Sequence, residues 1–205
     1  MRLGVFGGSF DPVHLGHLQL ARSCARQAAL DRVLFVPAAQ QPLKPAGATA
    51  AAADRLAMVQ TAVAAEEADA VLLAVSTIEL DRAGPSYTVD TLAALAQEHP
   101  GAELFFLMGA DSLADLPQWR DPRRICELAT PLVVARAGEA PPDFDVLAPY
   151  ATAERLEQIR GAMVHMPPAP ISSTDIRRRI AAGRPWQDLV PAAVAQYIEA
   201  RGLYR

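Results

Sequence analysis

Two histidines, a pair of glycines and one distant arginine carry most of the chemistry legible in this sequence. His14 and His17 stand three residues apart around Gly16, and Gly7 and Gly8 precede them after the apolar run Leu3-Gly4-Val5-Phe6. On a helix, that histidine spacing puts both imidazoles on one face about one turn apart, so both reach the same bound group. A strand, then glycines, then a helix start is the order of an anion site: glycines let backbone N–H groups approach a ligand, and the helix N-terminus adds donors with a partial positive charge. Gly16 removes a side chain that would crowd a ligand lying across the turn. Two other readings of the pair remain open: an exposed polar turn, and a metal site, although no further ligand follows at a familiar spacing.

Far along the chain, Ile171-Ser172-Ser173-Thr174-Asp175-Ile176-Arg177 follows a stiff Pro167-Pro168-Ala169-Pro170 connection. Ser172, Ser173 and Thr174 are N-cap candidates, and Ile176 and Ile180 give the next helix an apolar stripe. Arg177, Arg178 and Arg179 place three cations in its first turns, where the helix dipole disfavours them. Something anionic should compensate, unless the helix face is simply solvated.

These residues need elements to position them. Apolar runs predict strands at 3–6, 32–36, 70–75, 104–108, 132–135 and 162–166. Helices are expected from Leu18, over about 53–66 with Leu56, Val59 and Val63 buried, from an N-cap at Ser86 to Pro100, through Arg123, Ile125 and Leu128, and after Ser172. Asp54 and Arg55 start the second helix on its polar side. The stretch 109–112 reads as a loop at the end of the fourth strand, and 138–149 as an exposed, mobile loop. Strands without polar alternation, interleaved with helices, predict an α/β fold: a Rossmann-like, doubly wound, mainly parallel sheet with helices on both faces. Residues 1–205 are expected to form a single domain, with 171–205 as its small C-terminal helical portion. Ligands in such sheets bind at the carboxyl ends of the strands, where strand order reverses.

Composition narrows the classes. Among 205 residues, 51% are hydrophobic and 20% charged, a globular balance. A net charge of -4 gives no basic field for an extended nucleic-acid surface. Cys24 and Cys126 form no CxxC pair, which fits core thiols in a reducing compartment. With neither a signal-like leader nor an apolar run of membrane-spanning length, a cytoplasmic protein is expected.

Gly7-Gly8-Ser9-Phe10-Asp11-Pro12-Val13-His14-Leu15-Gly16-His17 resembles the first signature of the HxGH nucleotidyltransferases, and Ile171-Ser172-Ser173-Thr174 with Arg177 resembles their second. Gly84-Pro85-Ser86-Tyr87-Thr88, Leu107 to Leu113, Leu116-Pro117-Gln118-Trp119, Leu189-Val190-Pro191, Tyr197-Ile198 and Gly202 to Arg205 are similar to bacterial nicotinate-mononucleotide adenylyltransferases. The resemblance spans essentially the full length. It implies adenylyl transfer from ATP to nicotinate mononucleotide, giving nicotinate adenine dinucleotide and pyrophosphate in NAD biosynthesis.

The resemblance also implies roles. His14, His17, Lys44 and Arg177 would be catalytic, with His17 on the α-phosphate, Lys44 and Arg177 on the β- and γ-phosphates, and Mg²⁺ arriving with ATP rather than at a protein metal site. Gly7, Gly8, Ser9, Phe10, Gly109, Asp111, Ile171, Ser172 and Thr174 would complete the ATP site. Lys44, Tyr87, Thr88, Asp111, Trp119 and Arg120 would hold the mononucleotide, with Trp119 stacked on the pyridine ring. Where the family often has Asn and then Pro-Pro-His-Lys, this chain has Ala38-Ala39 and Gln41-Pro42-Leu43-Lys44. The partners implied are small molecules, with no nucleic acid and no membrane, and a homo-oligomer is compatible. Competing readings are a related adenylyltransferase acting on nicotinamide mononucleotide or phosphopantetheine, and a non-catalytic nucleotide sensor.

Overall fold

The computed structural model describes residues 1–42, 47–66, 72–136 and 140–205. Within them, six strands form one sheet: β1 (Arg2–Gly8), β2 (Arg32–Pro37), β3 (Leu72–Val75), β4 (Glu103–Gly109), β5 (Thr130–Arg136) and β6 (Val164–Met166). Their order is β3-β2-β1-β4-β5-β6, and every pairing is parallel. The chain runs outward from β1 to β3 and then returns to lay β4 on the other side of β1. That reversal opens a crevice at the carboxyl ends of β1 and β4.

The helices are α1 (Leu15–Gln27), α2 (Ala52–Ala64), α3 (Thr88–Glu98), α4 (Ala110–Asp115), α5 (Pro122–Leu128), α6 (Ala153–Gly161), α7 (Ser173–Ala181) and α8 (Ala192–Arg201). Successive strand residues point to opposite faces of the sheet, so each strand feeds two cores. Phe6, Phe35, Phe105 and Leu107 meet Cys24 of α1, Met58 of α2, Ile176 of α7 and Ile198 of α8. Val5, Leu34, Phe106 and Met108 meet Leu92, Leu113, Ile125 and Ile159 of α3 to α6. Both cysteines are buried core residues, and desolvation pushes the Cys24 thiol up to about 12. Among the described residues, no helix is long and apolar enough to cross a membrane.

Several local expectations change. Gly7 and Gly8 belong to β1, in register with Val36 and Pro37, and are not part of a loop. The stretch 109–112 is no loop either: Gly109 is the N-cap of α4. Tyr87, not Ser86, stands at the N-cap of α3, because the Ser86 hydroxyl accepts the Ala39 N–H instead (3.1 Å). Asp54 and Arg55 are buried rather than on a polar face. Asp54 is held by the Tyr197 hydroxyl (2.8 Å) and Arg201 (3.2 Å). In 138–149, a short 3-10 helix (Phe144–Leu147) seats Phe144 and Leu147 in the second core; residues 137–139 lie outside the described residues. So do 70–71 of the expected third strand. Helix α6 had no counterpart in the pattern reading, since its nine residues bury only Ile159.

Candidate active site

After Gly8 the chain turns sharply to enter α1. Phe10 takes a left-handed backbone conformation (φ 48°), which costs a bulky residue about 1–3 kcal/mol. It folds its ring back over Gly8, where a Cβ would lie 3.0 Å from that ring. The Phe10 ring packs against Phe6, Phe35 and His17 at centroid distances of 5.4, 5.5 and 5.1 Å. The side chain of this predicted ATP contact is therefore core, and its backbone shapes the loop.

The loop is held from outside itself. Asp11, only 3% exposed, accepts hydrogen bonds from Thr49 N–H (2.6 Å), Ala50 N–H (3.0 Å) and the Tyr204 hydroxyl (2.8 Å). Arg55 of α2, 2% exposed, donates to the Ser9 carbonyl (2.7 Å) and the Ala50 carbonyl (3.3 Å). From α7, Ser173 donates to the Pro12 carbonyl (2.9 Å), and Arg177 Nη1 donates to the Asp11 carbonyl (2.7 Å) and lies 3.7 Å from its carboxylate. The two signature segments, more than 160 residues apart in sequence, are thus bonded into one structure. Burial raises the Tyr204 phenol well above its ordinary range, and the Asp11 charge adds to that. Desolvation lowers the Arg55 guanidinium, with Asp11 acting in the opposite direction.

His14 is the N-cap of α1 and His17 its third residue. The imidazoles stack with centroids 3.6 Å apart and planes 23° apart, so the pair forms one surface. His17 Nδ1 accepts the His14 backbone N–H (3.2 Å). In a neutral ring this puts the hydrogen on Nε2 and makes that atom a donor. The first amides of α1, those of Leu15 and Gly16, have no intrahelical acceptor, and no acidic residue stands in the first turn to compete for an anion. Gly16 has a different reason from the one its position suggested. A Cβ there would meet His14 Nδ1 at 3.1 Å, His14 Cε1 at 3.2 Å and Ile171 Cβ at 3.7 Å, so the glycine makes room for the His14 ring.

The cations of α7 also sort differently. The helix has nine residues, which puts Arg178 and Arg179 in its last turn, where the dipole favours them. Both pair with Asp175, at 2.5 and 2.7 Å, and these bonds hold its carboxyl below the usual range. Ser172 caps the helix by accepting the Asp175 N–H (3.1 Å). Arg177 alone turns toward the β1–α1 loop, with Thr174 Oγ1 3.4 Å from its Nη2.

Beside the β1–α1 turn, a cavity of about 320 Å³ opens between the carboxyl ends of β1 and β4. Gly7, Gly8, Gly109, Tyr87, Thr88, Trp119 and Arg120 line it, together with Glu79, Ser86, Gln41, Phe106, Ser112 and Asp115, which were not among the expected site residues. Trp119 stands edge-to-face on Phe106 (5.8 Å, 71°). Arg120 lies over the Tyr87 ring (4.7 Å) and 3.5 Å from Asp90. A Cβ on Gly109 would meet open space. Asp111 is exposed in the first turn of α4 and is not part of the cavity wall. Ser9 donates to Gln41 Oε1 (2.9 Å), which ties the loop to the segment where the family's pattern is broken. Lys44 lies outside the described residues.

Residue patterns did not point to Arg55, Tyr204, Glu79 or Gln41. A signal existed only for Arg55, as a cation beside the apolar positions Leu56, Met58 and Val59. The other three are identified by contacts between distant segments.

Comparison with known proteins agrees with this geometry. The family described as Cytidylyltransferase-like matches residues 5–179. A protein of Roseiflexus castenholzii named "Probable nicotinate-nucleotide adenylyltransferase" is 47% identical over 206 residues, covering 100% of this chain and 98% of its own. A relative from Thermus thermophilus with the same name is 45% identical, covering 100% of both chains. The solved Plasmodium falciparum nicotinic acid mononucleotide adenylyltransferase complexed with NaAD has the same fold, with a TM-score of 0.74 at 16% identity, over 99% of this chain and 97% of that one.

Proposed function

The chain belongs to the Cytidylyltransferase-like family, among the nicotinate-nucleotide adenylyltransferases, and from that premise we propose how its site works. ATP binds with its triphosphate across the N-terminus of α1 and the face of α7, and nicotinate mononucleotide binds in the adjoining cavity. The mononucleotide phosphate is already an anionic nucleophile at neutral pH. One of its oxygens attacks the ATP α-phosphorus in line, the bond to the β-phosphate bridging oxygen breaks, and pyrophosphate leaves. The products are nicotinate adenine dinucleotide and pyrophosphate.

A reaction of this kind asks for alignment and charge stabilisation more than for a protein nucleophile. His17 Nε2–H donates to the α-phosphate as charge builds there, with His14 stacked against it. A guanidinium has five N–H donors, so Arg177 can hold the Asp11 carbonyl and still reach the β- and γ-phosphates, with Lys44 as its counterpart. Ser172 and Thr174 supply hydroxyls and Ile171 backbone. Gly7, Gly8, Ser9, Gly109 and Asp111 serve the nucleoside end. Thr88 meets the pyridine carboxylate, Arg120 the mononucleotide phosphate, and Trp119 and Tyr87 the ring. Mg²⁺ arrives on the triphosphate. Among the described residues no cluster of three or more histidine, cysteine, aspartate or glutamate side chains is placed to hold a metal. Magnesium bound by phosphate oxygens and water needs few protein ligands, and there it would neutralise phosphate charge. A cytoplasmic location and small-molecule partners go with this reading.

The bond from Arg177 to the Asp11 carbonyl supports the reading, because it joins the two signature segments next to Gly7 and Gly8, which line the cavity together with Thr88 and Trp119. The test is dinucleotide and pyrophosphate formation from ATP with the acid mononucleotide, its amide and phosphopantetheine in parallel. A clear preference for the acid is expected. A preference for either of the others, or ATP binding without turnover, would overturn the assignment.

A further inference from the structure

Glu79 is 7% exposed and lines the cavity. Thr91, buried in α3, donates its hydroxyl to Glu79 Oε1 (2.8 Å), and the Ser86 hydroxyl is also bonded to the carboxylate. Arg82 reaches the shared Thr91 hydroxyl (3.1 Å), and among the described residues no cation forms an ion pair with Glu79. Asp115 and Arg120, the other charged residues of the wall, are exposed. The remaining neighbours in the wall include the aromatic faces and edges of Trp119, Phe106 and Tyr87.

A buried carboxylate that no cation meets in an ion pair, with Arg82 acting through the shared Thr91 hydroxyl and at longer range, is costly to keep. Holding Ser86 and Thr91 in place does not require the charge, since a glutamine of the same shape offers an acceptor to Thr91 and an amide to Ser86. Burial pushes the Glu79 carboxyl up, while the two hydroxyls and Arg82 pull it down. A cavity whose wall carries this carboxylate and the Trp119, Phe106 and Tyr87 rings is an environment that favours a flat cation. The pyridine nitrogen of the mononucleotide is quaternary when it bears ribose, so the ring itself carries a positive charge.

We propose that Glu79 recognises this ring charge, so that the cavity selects the oxidised pyridinium mononucleotide over its reduced, uncharged dihydropyridine form. The inference rests on the mononucleotide occupying this cavity, as argued above. It concerns the ring, not the carboxylate that separates acid from amide.

The test is kcat/KM at saturating ATP for nicotinate mononucleotide and for its 1,4-dihydro form, in the wild type, Glu79→Gln and Thr91→Val. The wild type should favour the oxidised form by about 10-fold or more, the scale of one charge interaction at moderate dielectric. Glu79→Gln should lose about 10-fold on the oxidised form, change less than about 2-fold on the reduced form, and leave the KM for ATP unaltered. Thr91→Val, which removes a bond and no charge, should affect both forms equally. Equal losses in Glu79→Gln, or a wild type indifferent to ring oxidation, would overturn the proposal while the function stands. The wild-type comparison decides even if the variant does not fold. A wild type that adenylylates neither form would overturn the functional assignment, and this proposal with it.

Discussion

His17 gives up its Nδ1 lone pair to the His14 backbone N–H, which fixes the ring and leaves Nε2 as its donor in the neutral form. His17→Ala is expected to lower kcat by about 10²–10³-fold, the usual effect of losing one donor to developing charge, with little change in melting temperature because the ring is only half-buried. Near-normal kcat would remove His17 from the transition state. Glu79 gives a second expectation at this scale. Its folded-state pKa lies above the unfolded value, with burial as the largest cause. The folded protein therefore holds that proton more tightly, and the stabilisation this represents is present at low pH and lost as pH rises through the folded pKa. Glu79→Gln has no charge to bury, so its melting temperature relative to wild type should rise between pH 4 and pH 8 in ligand-free protein. A pH-independent difference would mean that the carboxylate is well solvated.

Helix α1 has a glycine, Gly16, as its second residue, where helix propensity would favour alanine by about 1 kcal/mol. The counterweight is the His14 ring, which a Cβ at position 16 would meet at 3.1 Å. Gly16→Ala is expected to change stability by less than about 1 kcal/mol, as the propensity gain offsets the contact, and to lower kcat by about 10-fold or more through a displaced His14. Unchanged kinetics would show that the ring gives way freely. In α7, three consecutive arginines have unlike surroundings. Arg178 and Arg179 pair with Asp175 at the surface, where solvent screens such pairs strongly, whereas Arg177 is bonded to the β1–α1 loop. Arg178→Ala should leave the KM for ATP within about 2-fold, and Arg177→Ala should raise it by about 10-fold or more, since a bond to a charged group contributes about 1.5–3 kcal/mol. Equal effects in steady-state assays would contradict this division of the helix.

At the scale of the molecule, Asp11 joins the segment leading into α2, α7 and the residues after α8. Its carboxylate accepts from Thr49, Ala50 and Tyr204, and its carbonyl from Arg177. Residues 171–205 are proposed to unfold with the sheet as one unit, because Ile176, Trp186, Val194 and Ile198 share a core with Phe6 and Phe35. Tyr204→Phe should cost about 1.5–3 kcal/mol in denaturant unfolding and keep a single transition. Two separate transitions, or no loss, would show that the tail is independent of the loop. The sequence by itself determined most of the strand and helix alternation and the doubly wound parallel sheet, because hydrophobic period and cap chemistry are local and survive without partners, and its two motif segments supplied the proposed phosphate contacts. It could not assign Asp54, Arg55, Glu79 and Tyr204, since a charged or phenolic side chain looks solvent-seeking until its partner is known. The partners Thr91, Ser9, Tyr197 and Asp11 lie 12 to 193 residues away. Only the tertiary structure decided that Gly16 serves His14, that Arg177 and not its neighbours faces the site, and that a carboxylate lies buried in the cavity wall. Each of these depends on which distant segments the fold brings within hydrogen-bonding or van der Waals distance.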